Sequence, residues 1–239
     1  MPLALLYHAA IEVSDPVTAP MRALTVAPRE LDWQFGELRR FGYRSSTLDE
    51  FHEALTRGGA AVDDLVLITF DDGYAHVFEA VSPLLERHGM TATMFVPYAH
   101  IGATNDWDTH LPVADLPLAD LEQLEAAVQS GLWELGSHAL RHEDLRALEP
   151  AACLESLAAA RRGLSTLTGT DVVDLAYPYG FFDGGVVSSA RDAGYRMAFA
   201  AGACDAGNLL AVPRRLIRGQ ESRQTFKVKI DREVGHLFG

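Results

Sequence analysis

Basic side chains are scarce: 20 Lys and Arg against 33 Asp and Glu leave a net charge of -13 over 239 residues. That deficit excludes sequence-independent binding to nucleic acid or to an anionic membrane, both of which need a basic face. A neutral or cationic partner is easier to accommodate. Cysteine is nearly absent, and the two present, Cys153 and Cys204, can neither build a disulfide framework nor show metal-ligand spacing. Also missing is any apolar run of membrane-spanning length, so no membrane insertion is expected. The apolar stretch at residues 3–6 is too short for a signal-peptide core and follows no basic segment. Taken at face value, the chain is expected to be cytoplasmic unless a leader has been removed.

What is present is an ordinary α/β composition, 48% hydrophobic with 20 glycines, at a length that suits one barrel-sized domain spanning residues 1–239. The most informative stretch is Leu-Val-Leu-Ile-Thr-Phe-Asp-Asp-Gly at residues 65–73. Six apolar or β-branched residues without polar alternation predict a strand buried on both faces, as in a parallel sheet. Asp71 and Asp72 follow at its carboxyl end, where parallel α/β folds place their chemistry. Neighbouring strand side chains point to opposite faces, so both acids serve one site only if the backbone turns there, which Gly73 permits.

The rest of the chain alternates between strand and helix patterns. Residues 3–7 predict a short strand ending at His8, and residues 9–27 an irregular loop. Pro28 opens a helix with an apolar stripe of Leu31, Phe35 and Leu38. Thr47 with Glu50 predicts a capping box before a helix to Arg57, closed by Gly58 and Gly59. Residues 74–88 predict a helix stopped by Gly89, residues 91–96 a buried strand, and residues 97–117 a long loop carrying Asn105, Trp107 and Asp108. Such long loops are often functional. Further helices are expected at 118–129, 150–167, 186–193 and from Gln224, with strands at 133–135, 172–176 and 195–199; residues 209–217 follow the last expected strand and complete the fold. The alternation predicts a single parallel barrel of about seven or eight irregular units.

His138 and His142 stand four residues apart, a spacing that predicts both imidazoles on one side of a single helical turn. Two histidines and one aspartate make a three-ligand site with positions left open for water and substrate.

Three ordered motifs now coincide: Thr69-Phe70-Asp71-Asp72-Gly73, then His138-Ala139-Leu140-Arg141-His142, then Tyr177-Pro178-Tyr179-Gly180. The chain thereby resembles the polysaccharide deacetylases of carbohydrate esterase family four. Tyr7-His8, Gly42-Tyr43, residues 91–97 and Ala193-Gly194-Tyr195 are similar to the branch that contains the biofilm poly-N-acetylglucosamine deacetylases. The resemblance implies a distorted (β/α) barrel of about seven parallel strands, and a hydrolase that removes N-acetyl groups from acetylated amino sugars with one divalent metal. Asp72, His138 and His142 would hold the ion, Asp71 would be the general base, and the backbone amide of Tyr179 would face the oxyanion. Zn2+ is the default for such ligands, with Co2+, Ni2+ or Fe2+ also fitting.

The motifs also depart from the family pattern. Ala176 stands where many members have an arginine that contacts the base, which leaves Arg214 or Arg215 as replacements. The usual fourth motif with its tryptophan has no counterpart, and the late leucine-histidine motif is absent, with His236 a poor substitute. In the biofilm branch the general acid comes from the first strand, which maps to His8. Tyr177, Pro178, Trp107 and Arg215 are the expected substrate-binding residues. Two alternatives stay open: an O-acetyl esterase or amidase acting on a small intracellular metabolite, and a silent carbohydrate-binding homologue.

Overall fold

The computed structural model describes residues 2–12, 19–57, 63–108, 116–201 and 207–231. In chain order its elements are β1 (Leu3–Tyr7), α1 (Ala19–Leu24), α2 (Pro28–Arg40), β2 (Arg44–Ser45), α3 (Leu48–Arg57), β3 (Leu65–Phe70), α4 (Ala75–His88) and β4 (Ala92–Val96). There follow α5 (Leu121–Gln129), β5 (Trp133–Ser137), α6 (Pro150–Thr168), β6 (Asp174–Ala176), α7 (Gly184–Asp192), β7 (Met197–Ala201), β8 (Val212–Leu216) and α8 (Arg223–Ile230). All the strand pairings are parallel, running β1-β8-β7-β6-β5-β4-β3, and β1 pairs with β3 to close the ring. The predicted seven-stranded barrel is therefore the fold. The two-residue β2 lies outside the ring, paired with Leu65 and Val66 at the amino end of β3.

Register explains why the strands read as unbroken apolar runs. Leu3, Leu5 and Tyr7 align with Val66, Ile68 and Phe70, and these six share one cluster with residues of α2, α4, α5 and α8. Ala4 and Leu67, on the opposite face, join Phe95, Met197, Phe199 and Val212 in the barrel interior. With both faces covered, alternation has no polar side to show. Leu48 and Phe51 belong to that interior cluster, so α3 plugs the amino end. Gly136 of β5 is required by close approach: a Cβ there would lie 2.3 Å from the Phe95 ring.

Several predicted boundaries hold for the expected reasons. Pro28 stands in the first turn of α2, which buries Leu31, Phe35 and Leu38. The Glu50 amide donates to Thr47 Oγ1 at 3.1 Å while the Thr47 amide donates to Glu50 at 3.1 Å, completing the capping box. Gly89 ends α4 at φ 60°. Others differ. The stretch read as an irregular loop contains α1, and α5 starts at Leu121 rather than 118. Asp120 caps α5 in a box with Gln123, while Leu118 bridges to Tyr74 and the Ala119 amide donates to Gly73 O. Cys153 is buried and carries no disulfide. Gly58, Gly59, Cys204 and His236 lie outside the described residues. No helix among the described residues is long and apolar enough to cross a membrane.

Candidate active site

β1, β3, β4 and β5 deliver their carboxyl ends to one place. The Asp71 amide donates to Tyr7 O at 3.0 Å, carrying the β1–β3 ladder one step past β3. The backbone then turns left-handed twice, at Asp72 (φ 75°) and Gly73 (φ 76°). The turn begins one residue before the glycine expected to permit it. This brings both carboxylates to the barrel mouth, where Asp71 and Asp72 are 3% and 4% exposed.

Just past β5 the His138 amide donates to Val96 O at 2.9 Å. The segment from His138 to His142 is a bent loop, not the helical turn that the spacing predicted. Its backbone reverses at Ala139 (φ 63°), and the carbonyls of Ala139 and Leu140 accept from the amides of Tyr98 and Ala99. Bonds to a neighbouring loop replace the i to i-4 bonds a helix would use, and the two imidazoles still converge. His138 Nε2 is 3.5 Å and His142 Nε2 3.3 Å from Asp72 Oδ1. Among the described residues no other trio of His, Cys, Asp or Glu offers ligand atoms so closely grouped.

The donor set fits a cation. His138 Nδ1 lies 2.8 Å from Ala176 O, a bond in which the ring nitrogen must donate, leaving the Nε2 lone pair toward Asp72. Among the described residues Asp72 Oδ1 is buried without a hydrogen-bond partner. Two atoms each about 2.1 Å from one ion in tetrahedral geometry lie about 3.4 Å apart, which matches these separations. Burial raises the Asp72 pKa, but the imidazoles of His138 and His142 outweigh it and hold the carboxyl well below its ordinary value.

Asp71 has a different partner. Arg214, on β8, is 1% exposed and grips both its oxygens at 2.7 Å, with a further bond to Thr69 Oγ1 at 3.0 Å. Burial pushes the Asp71 carboxyl up and Arg214 pulls it down, leaving it below the ordinary value. Arg215 turns away instead: its guanidinium donates to Lys229 O and links β8 to α8. Adjacent strand residues face opposite sides, and only one of the pair can enter the barrel.

His8 follows β1 and faces the same cleft of about 270 Å³, together with Asp71, Asp72, His138 and His142. Burial lowers its pKa below the ordinary 6.5 against the opposing pull of Asp72 and Asp71, and its Nδ1 is buried without a partner among the described residues. Trp107 lines the cleft and stacks on His142. Tyr179 lines it too, at φ 59°. Among the described residues the only non-glycine residues with positive φ are Asp72, Ala139 and Tyr179, one from each motif. Backbone strain of this kind concentrates where geometry is functional.

Tyr177 and Pro178 do not reach the cleft. Tyr177 is fully buried, donates to Leu210 O at 2.9 Å and stacks on Phe182. Pro178 is buried beside it. The sequence missed Phe181, 46% exposed at the cleft edge, and Met21 and Leu24 of α1. Proximity to the third motif was the one available signal for Phe181; nothing local marked the α1 pair.

A closed parallel barrel with two imidazoles, two carboxylates and a third histidine at its mouth defines a hydrolase-like α/β barrel with a candidate single-ion centre. The particular family follows from comparison: the polysaccharide deacetylase family model matches residues 58–198, and this chain belongs to that family. It is 27% identical over 175 residues to the Bacillus subtilis protein YxkH, whose name places it among polysaccharide deacetylases, covering 73% of this chain and 58% of that one. It is 26% identical over 249 residues to the poly-beta-1,6-N-acetyl-D-glucosamine N-deacetylase of Escherichia coli, covering 89% of this chain. The chain spans only 36% of the length of that relative. The Streptococcus pyogenes deacetylase PplD, solved with acetate, superposes with a TM-score of 0.81 at 21% identity, over 96% of this chain and 98% of that one. At that identity the likeness shows the fold.

Proposed function

We propose that this chain is a metal-dependent deacetylase that hydrolyses the acetamide of an N-acetylhexosamine unit. The convergence of Asp72, His138 and His142 beside an Arg214-clamped Asp71 carries the reading. Those three side chains would hold one divalent ion, Zn2+ by default. When bound, such an ion polarises a carbonyl and lowers the pKa of water toward 7.

The chain's own residues divide the remaining work. Asp71, kept ionised by Arg214, takes the proton of the attacking water on a carboxylate oxygen. Arg214 restrains that carboxylate to one plane. The Tyr179 backbone amide is the proposed donor to the oxyanion, a contact worth roughly 3 kcal/mol in other acyl-transfer sites. His8 delivers a proton to the departing amine nitrogen; burial lowers its pKa, so fewer rings carry that proton at neutral pH than in free imidazole, and those that do release it more readily. Tyr179 and Phe181 offer apolar ring faces at the lip against which a pyranose can lie. The size of the substrate follows from location: a cytoplasmic chain meets nucleotide-linked or lipid-linked sugars, an exported one the finished polymer.

The test is to load the protein with Zn2+ or Co2+, supply N-acetylglucosamine oligomers alongside matched O-acetyl esters, and follow free acetate. Release from the amides is expected. Asp71→Asn should retain the metal and lose about a hundredfold or more in kcat, His8→Ala a comparable factor, and Asp72→Ala should lose the metal. Acetate from the esters alone, or from neither, overturns the assignment.

A further inference from the structure

The two imidazoles of the candidate centre are held differently. His138 is oriented by its Nδ1 bond to Ala176 O, the usual way a metal-binding histidine is fixed. His142 has no such bond among the described residues, where its buried Nδ1 finds no partner. Something else must set the plane of its ring. The Trp107 indole lies against it with centroids 4.5 Å apart and planes 25° apart, and the Tyr179 ring approaches edge-on at 4.4 Å and 73°.

Trp107 is itself fixed from behind. The His100 ring meets it edge-on at 5.1 Å. At the base of its loop the buried Asn105 accepts from the Leu116 amide at 2.7 Å and donates to the Tyr74 hydroxyl at 3.4 Å. Thr104 bridges to Pro117, closing the loop at its neck. These bonds deliver a rigid indole to one place, and the ring that it meets there is His142.

We infer that Trp107 is a positioning residue for His142: stacking, in place of a hydrogen bond, holds that imidazole in the orientation a metal needs. The role expected from sequence, a platform for sugar, is replaced by one in assembling the centre. The inference rests on the proposal that Asp72, His138 and His142 hold an ion. A free imidazole can rotate about its side-chain bonds, so without the indole each binding event must also order the ring.

The experiment titrates Zn2+, in competition with a chelator, into wild type, Trp107→Ala, Trp107→Phe and Asp72→Ala, with folding checked by circular dichroism. KM for an acetylated oligosaccharide is then measured at saturating metal. Trp107→Ala should weaken metal binding about ten- to a hundredfold, the range for losing an orienting partner, and leave KM within about twofold. Trp107→Phe, which keeps a ring in place, should recover most of the affinity. If Trp107→Ala binds metal like wild type while Asp72→Ala does not, the inference falls and the proposed function stands; a raised KM would then return the indole to the sugar. If Asp72→Ala also binds like wild type, the trio is not the site and both readings fall.

Discussion

At Asp71 burial and a salt bridge oppose each other, and the arginine prevails. The carboxyl sits below its ordinary pKa, so the stabilisation of this pair is fully present above about pH 4 and is lost as pH falls through the lowered folded value. Replacing Arg214 with Met removes the salt bridge and leaves only the weaker pull of His138 and His8 against burial, so the Asp71 pKa rises. The variant should lose about 3–5 kcal/mol at pH 7, the usual cost of stranding a buried charge, and regain part of it as pH drops and Asp71 protonates. Urea denaturation at pH 7 and pH 5 checks this. The acid limb of kcat/KM should also move to higher pH. The sequence narrowed the partner of Asp71 to Arg214 or Arg215, and no local pattern could separate them. Which of two adjacent strand residues faces inward depends on how β8 enters the barrel.

Three turns shape the mouth, and each carries one non-glycine residue at positive φ. The third is the most constrained. Gly180 has φ 70°, and a Cβ there would lie 2.5 Å from Ala201 Cβ. Gly180→Ala therefore combines a disfavoured backbone with a clash, and should cost about 1–3 kcal/mol and displace Tyr179. Gly131 is the control: it has the same φ of 70° but nothing within 4 Å of a built Cβ. Gly131→Ala should cost about 1 kcal/mol and leave acetate release unchanged. Thermal melts with parallel activity assays separate the two. At this scale the sequence located the motifs correctly but misread the backbone between His138 and His142. Four-residue spacing is shared by a helical turn and by a loop that reverses at Ala139, and the bonds favouring the loop come from Tyr98 and Ala99.

Across the molecule the two ends of the barrel do different work. At the amino end the Leu48 amide donates to Glu134, and Arg196 joins Asp49 and Asp174, so charge there anchors the plug helix. At the carboxyl end His8 Nδ1, Asp72 Oδ1 and His142 Nδ1 converge, buried and without partners among the described residues, which suits them to take up a ligand. A ligand that binds only the folded chain stabilises it by mass action. Zn2+ at about a hundred times its dissociation constant should add roughly 2.7 kcal/mol, and chelation should remove it. Calorimetric melts with Zn2+ and with chelator should therefore differ by several degrees in wild type and coincide in Asp72→Ala.

Local pattern by itself determined the strands before β8, most helix limits, the strand-end aspartates and the histidine pair, because burial on both faces, helix caps and motif spacing are written in neighbouring residues. Closure of the barrel decided the rest. Arg214 meets Asp71 from 143 positions away because β8 pairs with β1, and β1 with β3. Trp107 reaches His142 because a loop is tied back on Asn105. Contacts between distant segments depend on how the elements pack, and packing is a property of the whole chain that no stretch of it contains.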